Sequence, residues 1–456
     1  MPAVSHKIGT VSDVCRLAAP ILLASASAAA NLLTDRIFLA RYDSAALGAV
    51  LPAGTLANAL TTAISVTIGY SATFVAQFHG GGDPRAATRA FVNGCGLAIL
   101  SLPLFLLAIP AGRAILGLSG HDPELLASEL AYFSFVQPAG FLAVAFASAS
   151  GLLTGQGHTR AFGLSAALGA LANIGLDRIL IFGWGPIPAL GIAGAGLASV
   201  LALVLQFAVL MPWVLRDPLL RACRHSLASQ FDPRLMRTML TAGLPNGLCS
   251  LVSAGAFALF ALETGRLDGL SLSASSAVFA IGGLYYPALS AVACAVTILT
   301  ARSWGLGDVP STRRAVRSGL KIAFSGLFLF LALTVPSGDL WPRLFGHGIA
   351  AEHAATFTRT CRTLLGILAL REIAETCLLV LTAALRGIGD TRFVMRAQCG
   401  IELLVWCPAI LILSRADCRV VSLWLTMPLS FGLTALLLAR RWRAVHAISD
   451  VLPAWP

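Results

Sequence analysis

The chain has 456 residues, of which 57% are hydrophobic and 12% charged, and a mean hydropathy of +0.82. Soluble domains carry about a quarter charged residues, so this composition excludes an ordinary soluble protein and implies a membrane protein. The net charge of +11 falls mostly on Arg and Lys in alternate connections between apolar runs, which makes it an orientation signal and not a nucleic-acid surface.

Residues 90–112, 238–262 and 420–439 contain no Asp, Glu, Lys or Arg. Each run is long enough to cross roughly 30 Å of hydrocarbon as a helix. Helices satisfy their backbone hydrogen bonds locally, and the sequence lacks the short alternating strands that a closed barrel needs. The polar start, MPAVSHKIGTVSDVCRLAAP, does not have the form of a cleavable signal, so the stretch after it reads as the first span.

In chain order the expected spans are 14–40, 45–78, 86–111, 125–152, 161–184, 189–214, 237–262, 271–302, 316–336, 360–385, 394–414 and 419–440. The second and eighth are long enough to predict single tilted or protruding helices. The fold class is therefore all-α, a polytopic protein of twelve transmembrane helices. The charge bias places it in the cytoplasmic (inner) membrane with both termini cytoplasmic.

Residues 155–160 read GQGHTR and residues 387–392 read GIGDTR. The echo extends further: at an offset of 225, Pro20 meets Pro245, Gly82 meets Gly307, Asp83 meets Asp308 and Arg89 meets Arg314. Extra loop around 339–358 moves the offset to 232 for the GxGxTR turns. The two halves are copies, and an even number of crossings in each makes the repeat parallel. The expected division is an N-terminal lobe over 1–215, a basic cytoplasmic linker over 216–236 and a C-terminal lobe over 237–456.

The ten cysteines are scattered without a CxxC pair, and the eight histidines lie mainly in loops. This pattern predicts neither a structural metal nor a bound cofactor.

An ionisable side chain inside a span costs a few kcal/mol or more, so each is a functional candidate. Asp35 and Asp177 fall at similar depths, roughly 28 Å and 25 Å of helical rise beyond Arg16 and Arg160. Asn173 and Asp177 are four apart, on one helix face. Two carboxylates with an amide suit a proton or a hard cation such as Na⁺. Both acids adjoin an arginine, Arg36 and Arg178, but neighbours in a helix point about 100° apart, which lets the acid face inward while the arginine faces out. The second half has Phe260 where the offset predicts the counterpart of Asp35. Its own charges lie in ALREIAETCLL, where Arg371 and Glu375 can pair along the helix and Glu372 is expected to point elsewhere. Glu402 is a weaker candidate.

With these residues placed, the chain resembles the multidrug and toxic compound extrusion (MATE) transporters over essentially its full length. The resemblance rests on AAPILL and TDRIFLA (Pro20, Asp35), NIGLDRILIF (Asn173, Asp177), ALGIAGAGLAS, AGLP and LRGIGDTR, in that order. It implies two six-helix lobes around a cavity that opens alternately to each side. It also implies that Asp35, Asn173 and Asp177 form the cation or proton coupling site with Ser199, which stands where the family often has Thr, and that Glu375 is a possible C-lobe site. Members that hold Na⁺ in the C-terminal lobe carry an acid where this chain has Ser253, which moves the resemblance toward the DinF-like branch.

The expected function is secondary active transport, not catalysis: a monomeric antiporter in the membrane lipid that exports small organic cationic or amphipathic compounds, xenobiotics among them, against transported H⁺ or Na⁺. A lipid-linked precursor flippase of the wider superfamily is the alternative. It would favour extra crossings and a cluster of cavity arginines. No HExxH or GxSxG pattern supports a membrane enzyme.

Overall fold

The computed structural model describes residues 8–42, 44–117, 123–222, 230–267, 269–337, 341, 351–415 and 420–448. Asp43, residues 223–229 of the expected linker, and most of the extra loop lie outside the described residues. The helices are α1 (Val11–Tyr42), α2 (Ser44–Gly69), α3 (Ser71–Gly80), α4 (Pro84–Leu100), α5 (Leu102–Gly117), α6 (Pro123–Gly155), α7 (Thr159–Phe182), α8 (Gly191–Arg216) and α9 (Pro218–Ala222). They continue as α10 (Pro233–Leu267), α11 (Gly269–Gly282), α12 (Tyr286–Gly305), α13 (Val309–Thr334), α14 (Ala351–Gly387), α15 (Thr391–Ile401), a π-turn (Glu402–Trp406), α16 (Cys407–Arg415) and α17 (Val420–Ile448). Among the described residues the only strand-like pairing is one bridge, Trp184 with Ile187. The all-α membrane architecture expected from the sequence is thus the one observed.

Eleven helices or helix pairs among the described residues are long and apolar enough to cross a membrane. The 37-residue α14 is longer than any of them but carries the Arg371 charge cluster. Side chains such as Phe328 (76% exposed) and Leu404 (79%) stand on the outside of the helices, where lipid and not water is the compatible solvent.

The two long spans differ from the single helices expected. One is interrupted at Tyr70, between α2 and α3. The other turns through Gly283–Tyr285, where Tyr285 N donates to Gly282 O at 3.1 Å. In the second case the cause is local: adjacent Gly282 and Gly283 weaken the helix and Pro287 supplies no amide to continue it.

The chain divides into two compact units, one spanning Ala19–Ser250 and the other joining Met1–Ala18 to Leu251–Pro456. In the second unit the chain start is tied to α13: Ser318 Oγ donates to Gly9 O at 2.8 Å and Arg314 donates to Ile8 O at 3.1 Å. Pro20 lies inside α1, just past this division.

The duplication is visible in the turns. Gly82 and Gly307 take φ of 76° and 70°, and Gly157 and Gly389 take 83° and 92°, a region that favours glycine. The next residue closes each turn onto the preceding helix: Asp83 N to Phe78 O, Asp308 N to Ser303 O, His158 N to Leu153 O and Asp390 N to Leu385 O. Asp83 then caps α4 through Ala86 N at 2.9 Å, and Asp308 caps α13 through Ser311 N at 3.0 Å. Equal caps at equivalent positions mark one folding unit used twice.

Candidate functional site

Three helices of the Ala19–Ser250 unit, α1, α7 and α8, build the site. Glycines set their spacing: a methyl group on Gly163 would lie 2.4 Å from Pro20 O, and one on Gly194 would lie 2.4 Å from Leu180 O. Small residues therefore let α7 approach both neighbours at backbone distance. Further along, Ala24, Ser25 and Ala28 of α1 face Ala166, Gly169 and Ala170 of α7 around a cavity of about 500 Å³. Positions 24, 28, 31 and 35, and 162, 166, 169 and 173, each follow one helical face.

At the polar part of this cavity stand Asn31, Asp35, Asn173 and Ser199. Asn31 Nδ2 donates to Asn173 Oδ1, joining α1 to α7. Asp177, one turn beyond Asn173, is fully buried, and its carboxyl lies close enough to Asp35 to interact directly. The structure therefore brings Asp35, Asn173, Asp177 and Ser199 into one region. Arg178 is exposed, with its guanidinium 5.0 Å from the Phe182 ring centroid, which is the inward-acid, outward-arginine separation expected. The side chain of Arg36 lies outside the described residues.

Buried polar atoms almost always have partners. Here Asn31 Oδ1, Asp35 Oδ1 and both Asp177 carboxylate oxygens are buried without a hydrogen-bond donor among the described residues. Asn173 Nδ2 is likewise buried without a partner, and among the described residues no side-chain cation pairs with either acid. Such a group can take a proton between carboxyls or a hard cation among oxygens.

The acids of the other unit are differently placed. Arg371 pairs with Glu375 at 2.7 Å and also with Glu372 at 2.5 Å. Glu372 therefore does not point elsewhere as expected, because the guanidinium fork is wide enough to serve two carboxylates on successive residues. The same guanidinium lies 5.6 Å from the Phe431 ring centroid and 5.9 Å from that of Phe279. Phe260, at the position equivalent to Asp35, is fully buried and packs against Phe279, Trp406 and Trp424. An aromatic core thus stands at the position where the first unit has an acid beside a cavity.

Two contributors escaped sequence reasoning. Asn31 is four residues before Asp35, on the same face, and that spacing was its only signal. The second is a cluster at the π-turn: Ser253 Oγ donates to Glu402 Oε1 at 2.7 Å, and Gln398 Nε2 donates to Ser253 Oγ at 2.9 Å. Glu402 Oε2 is buried without a partner. Its signal was a second amide-x-Gly-x-acid stretch, Gln398 to Glu402, echoing Asn173 to Asp177. The echo lies two turns nearer its helix start, 11 residues from Thr391 against 18 from Thr159.

The MatE family model matches this chain twice, over 20–179 and 245–405, in agreement with the internal repeat. The chain is 28% identical over 417 residues to "Probable multidrug resistance protein NorM" of Bradyrhizobium diazoefficiens, covering 89% of this chain and 86% of that one. A protein of the same description from Deinococcus radiodurans is 26% identical, covering 83% and 82%. Among solved structures, a MATE protein in complex with MaL6 superposes with a TM-score of 0.84 at 20% identity, covering 99% of each chain. A MOP superfamily transporter from Pyrococcus furiosus gives 0.85 at 20% identity over the same share. Motifs, repeat, fold and family match converge, and the chain belongs to the MatE family, the multidrug and toxic compound extrusion transporters.

Proposed function

We propose that this multi-pass membrane protein is a multidrug efflux antiporter of the cytoplasmic membrane, exporting small cationic or amphipathic organic compounds in exchange for inward H⁺ or Na⁺. Asp35, Asn173 and Asp177 form the coupling site, with Asn31 holding Asn173 and Ser199 offering a further oxygen. The observation that supports this reading is the group of four buried acceptor oxygens without a donor among the described residues, beside a cavity of about 500 Å³.

With the ion absent, the carboxylates repel one another and attract a cationic compound into the cavity. Binding of H⁺ or Na⁺ removes that attraction, and the compound leaves. An ion shifts the balance between two states only through its preference for one of them, so competition for one acidic site supplies the coupling. The two repeats serve as the two lobes, with the termini on the basic, cytoplasmic side. Glu375 is a weaker candidate for coupling, since it would first have to leave Arg371. The multidrug description of the relatives supports export of organic compounds.

The test is exchange in proteoliposomes under separately imposed pH and Na⁺ gradients, with a panel of organic cations. One gradient drives exchange by the wild type, and Asp35→Asn reduces it at least tenfold. Exchange by Asp35→Asn at the wild-type rate would overturn the assignment.

A further inference from the structure

Four glutamates of the second unit are buried among the described residues: Glu263, Glu372, Glu375 and Glu402. Arg266 pairs with Glu263 at 2.6 Å, and Arg371 pairs with Glu372 and Glu375. Glu402, only 5% exposed, has no ion pair among the described residues. Its Oε1 accepts from Ser253 Oγ at 2.7 Å, and Gln398 Nε2 donates to that hydroxyl at 2.9 Å and lies 3.4 Å from Oε1. Its Oε2 is buried and receives no donor among the described residues. Ser253 and Gln398 are half-buried, so the carboxyl lies one side chain in from the surface.

The packing around Glu402 brings no charge to it. Apart from Glu402 itself, residues 238–262 of α10, 397–414 around the π-turn and 420–439 of α17 contain no Asp, Glu, Lys, Arg, His or Tyr. The other groups able to titrate on these stretches are Cys249, Cys399 and Cys407. Arg392 and Arg396 of α15 are exposed. On α14, which packs against α15, Arg371, Glu372 and Glu375 pair with one another.

The backbone is shaped at this residue. Pro408 supplies no amide, and the chain before it widens into the π-turn, where Cys407 N donates to Glu402 O. Two helices pin the ends of the turn. Ser253 of α10 holds Glu402, and Trp406 Nε1 donates to Thr426 Oγ1 of α17 at 3.0 Å. Single π-turns inside α-helices occur often at functional sites.

Holding α10 to the π-turn does not require an acid. A glutamine oxygen would accept from Ser253 as well, whereas a buried carboxylate without a cation is costly. What the acid adds is the capacity to bind a positive ion on the oxygen that Ser253 leaves free. A metal cation needs several oxygen ligands, and here the serine hydroxyl and the glutamine amide already point donors inward. A proton needs Oε2 alone, and binding there forms one O–H bond and cancels the charge. The internal repeat points the same way. Gln398, Gly400 and Glu402 stand 225 residues after Asn173, Gly175 and Asp177. In each copy the amide is tied to that copy's first helix, Asn173 to Asn31 and Gln398 to Ser253.

We infer that Glu402, positioned by Ser253 and Gln398 at the π-turn, is a second proton-binding site, distinct from Asp35 and Asp177, that takes up one proton on Oε2 and releases it. Proton binding alone defines this site, which does not rest on the antiport reading.

The experiment is infrared difference spectroscopy of the full-length protein in detergent, between acid and alkaline buffers, reading the carbonyl stretch of protonated carboxyl groups. Wild type is compared with Glu402→Gln, Ser253→Ala and the double variant Asp35→Asn, Asp177→Asn, with circular dichroism as the check on folding. The expected result is a titrating carboxyl band that Glu402→Gln loses and the double variant keeps. Ser253→Ala keeps the band and binds the proton about tenfold more tightly, because the hydroxyl that favours the charged form is gone. That variant decides the matter should Glu402→Gln fail to fold. Four results would overturn the inference: a full titrating band in folded Glu402→Gln, unchanged proton affinity in Ser253→Ala, loss of the Glu402 band in the double variant, or a Glu402-dependent signal that follows Na⁺ at constant pH.

Discussion

The two units began as copies and keep the same turns, yet they treat buried acid in opposite ways. In the Ala19–Ser250 unit, Asp35 and Asp177 sit together beside open volume, and three of their four oxygens are buried without a donor among the described residues. In the other unit Arg371 answers Glu372 and Glu375, Ser253 donates to one oxygen of Glu402 and leaves the other without a partner among the described residues, and an aromatic side chain occupies the position equivalent to Asp35. Duplication supplied two equal frames. What separates them is how many buried carboxylate oxygens the described residues of each unit answer.

The strongest way to break this contrast is to open the closed cluster. Arg371→Gln leaves two buried carboxylates without a cation and lowers stability by about 3 kcal/mol, because removing one partner of a buried pair strands the other. Thermal or denaturant unfolding in detergent reads the loss, and the triple change Arg371→Gln, Glu372→Gln, Glu375→Gln restores most of it. In the open cluster the same measurement gives the reverse: Asp177→Asn leaves stability unchanged or raised, since it removes buried charge that no ion pair among the described residues offsets. A stability loss for Asp177→Asn equal to that of Arg371→Gln would erase the distinction.

A smaller effect probes how the open site is held. Gly163→Ala places a methyl group against Pro20 O and costs about 1–3 kcal/mol through overpacking. Because it forces α7 from α1, it also lowers exchange. Gly175→Ala, at a position in α7 with open space, should do neither.

The smallest effect sharpens the common frame. Asp83→Ala and Asp308→Ala each remove one cap and cost about 1 kcal/mol. Equal losses would show that the two turns still work alike; a difference above about 1 kcal/mol would show that the frames have diverged as the interiors have.

Features that depend on neighbouring residues were legible in the sequence. The GxGxTR turns, the Asp83 and Asp308 caps and the apolar runs are local, and the interior direction of Asp177 follows from helical geometry alone. Three features were not. The break at Tyr70 has no proline or charge to announce it. Glu372 was assigned by its angle on the helix, and the reach of the Arg371 side chain overrides that angle. The Ser253–Gln398–Glu402 group joins α10 to α15 and the π-turn across 145 to 149 residues, and although Ser253 and Glu402 stood out singly, nothing local linked them to each other or to Gln398.

Pro20 gives α1 a particular mechanical character. Proline has no amide hydrogen, so the carbonyl of Arg16, four residues earlier, loses its partner along the rod. Bending there breaks no bond that would otherwise exist, whereas bending elsewhere in α1 must break one. The segment carrying Asn31 and Asp35 is thus joined to the first turns of the helix by its most compliant joint, and a swing about that joint moves both side chains together.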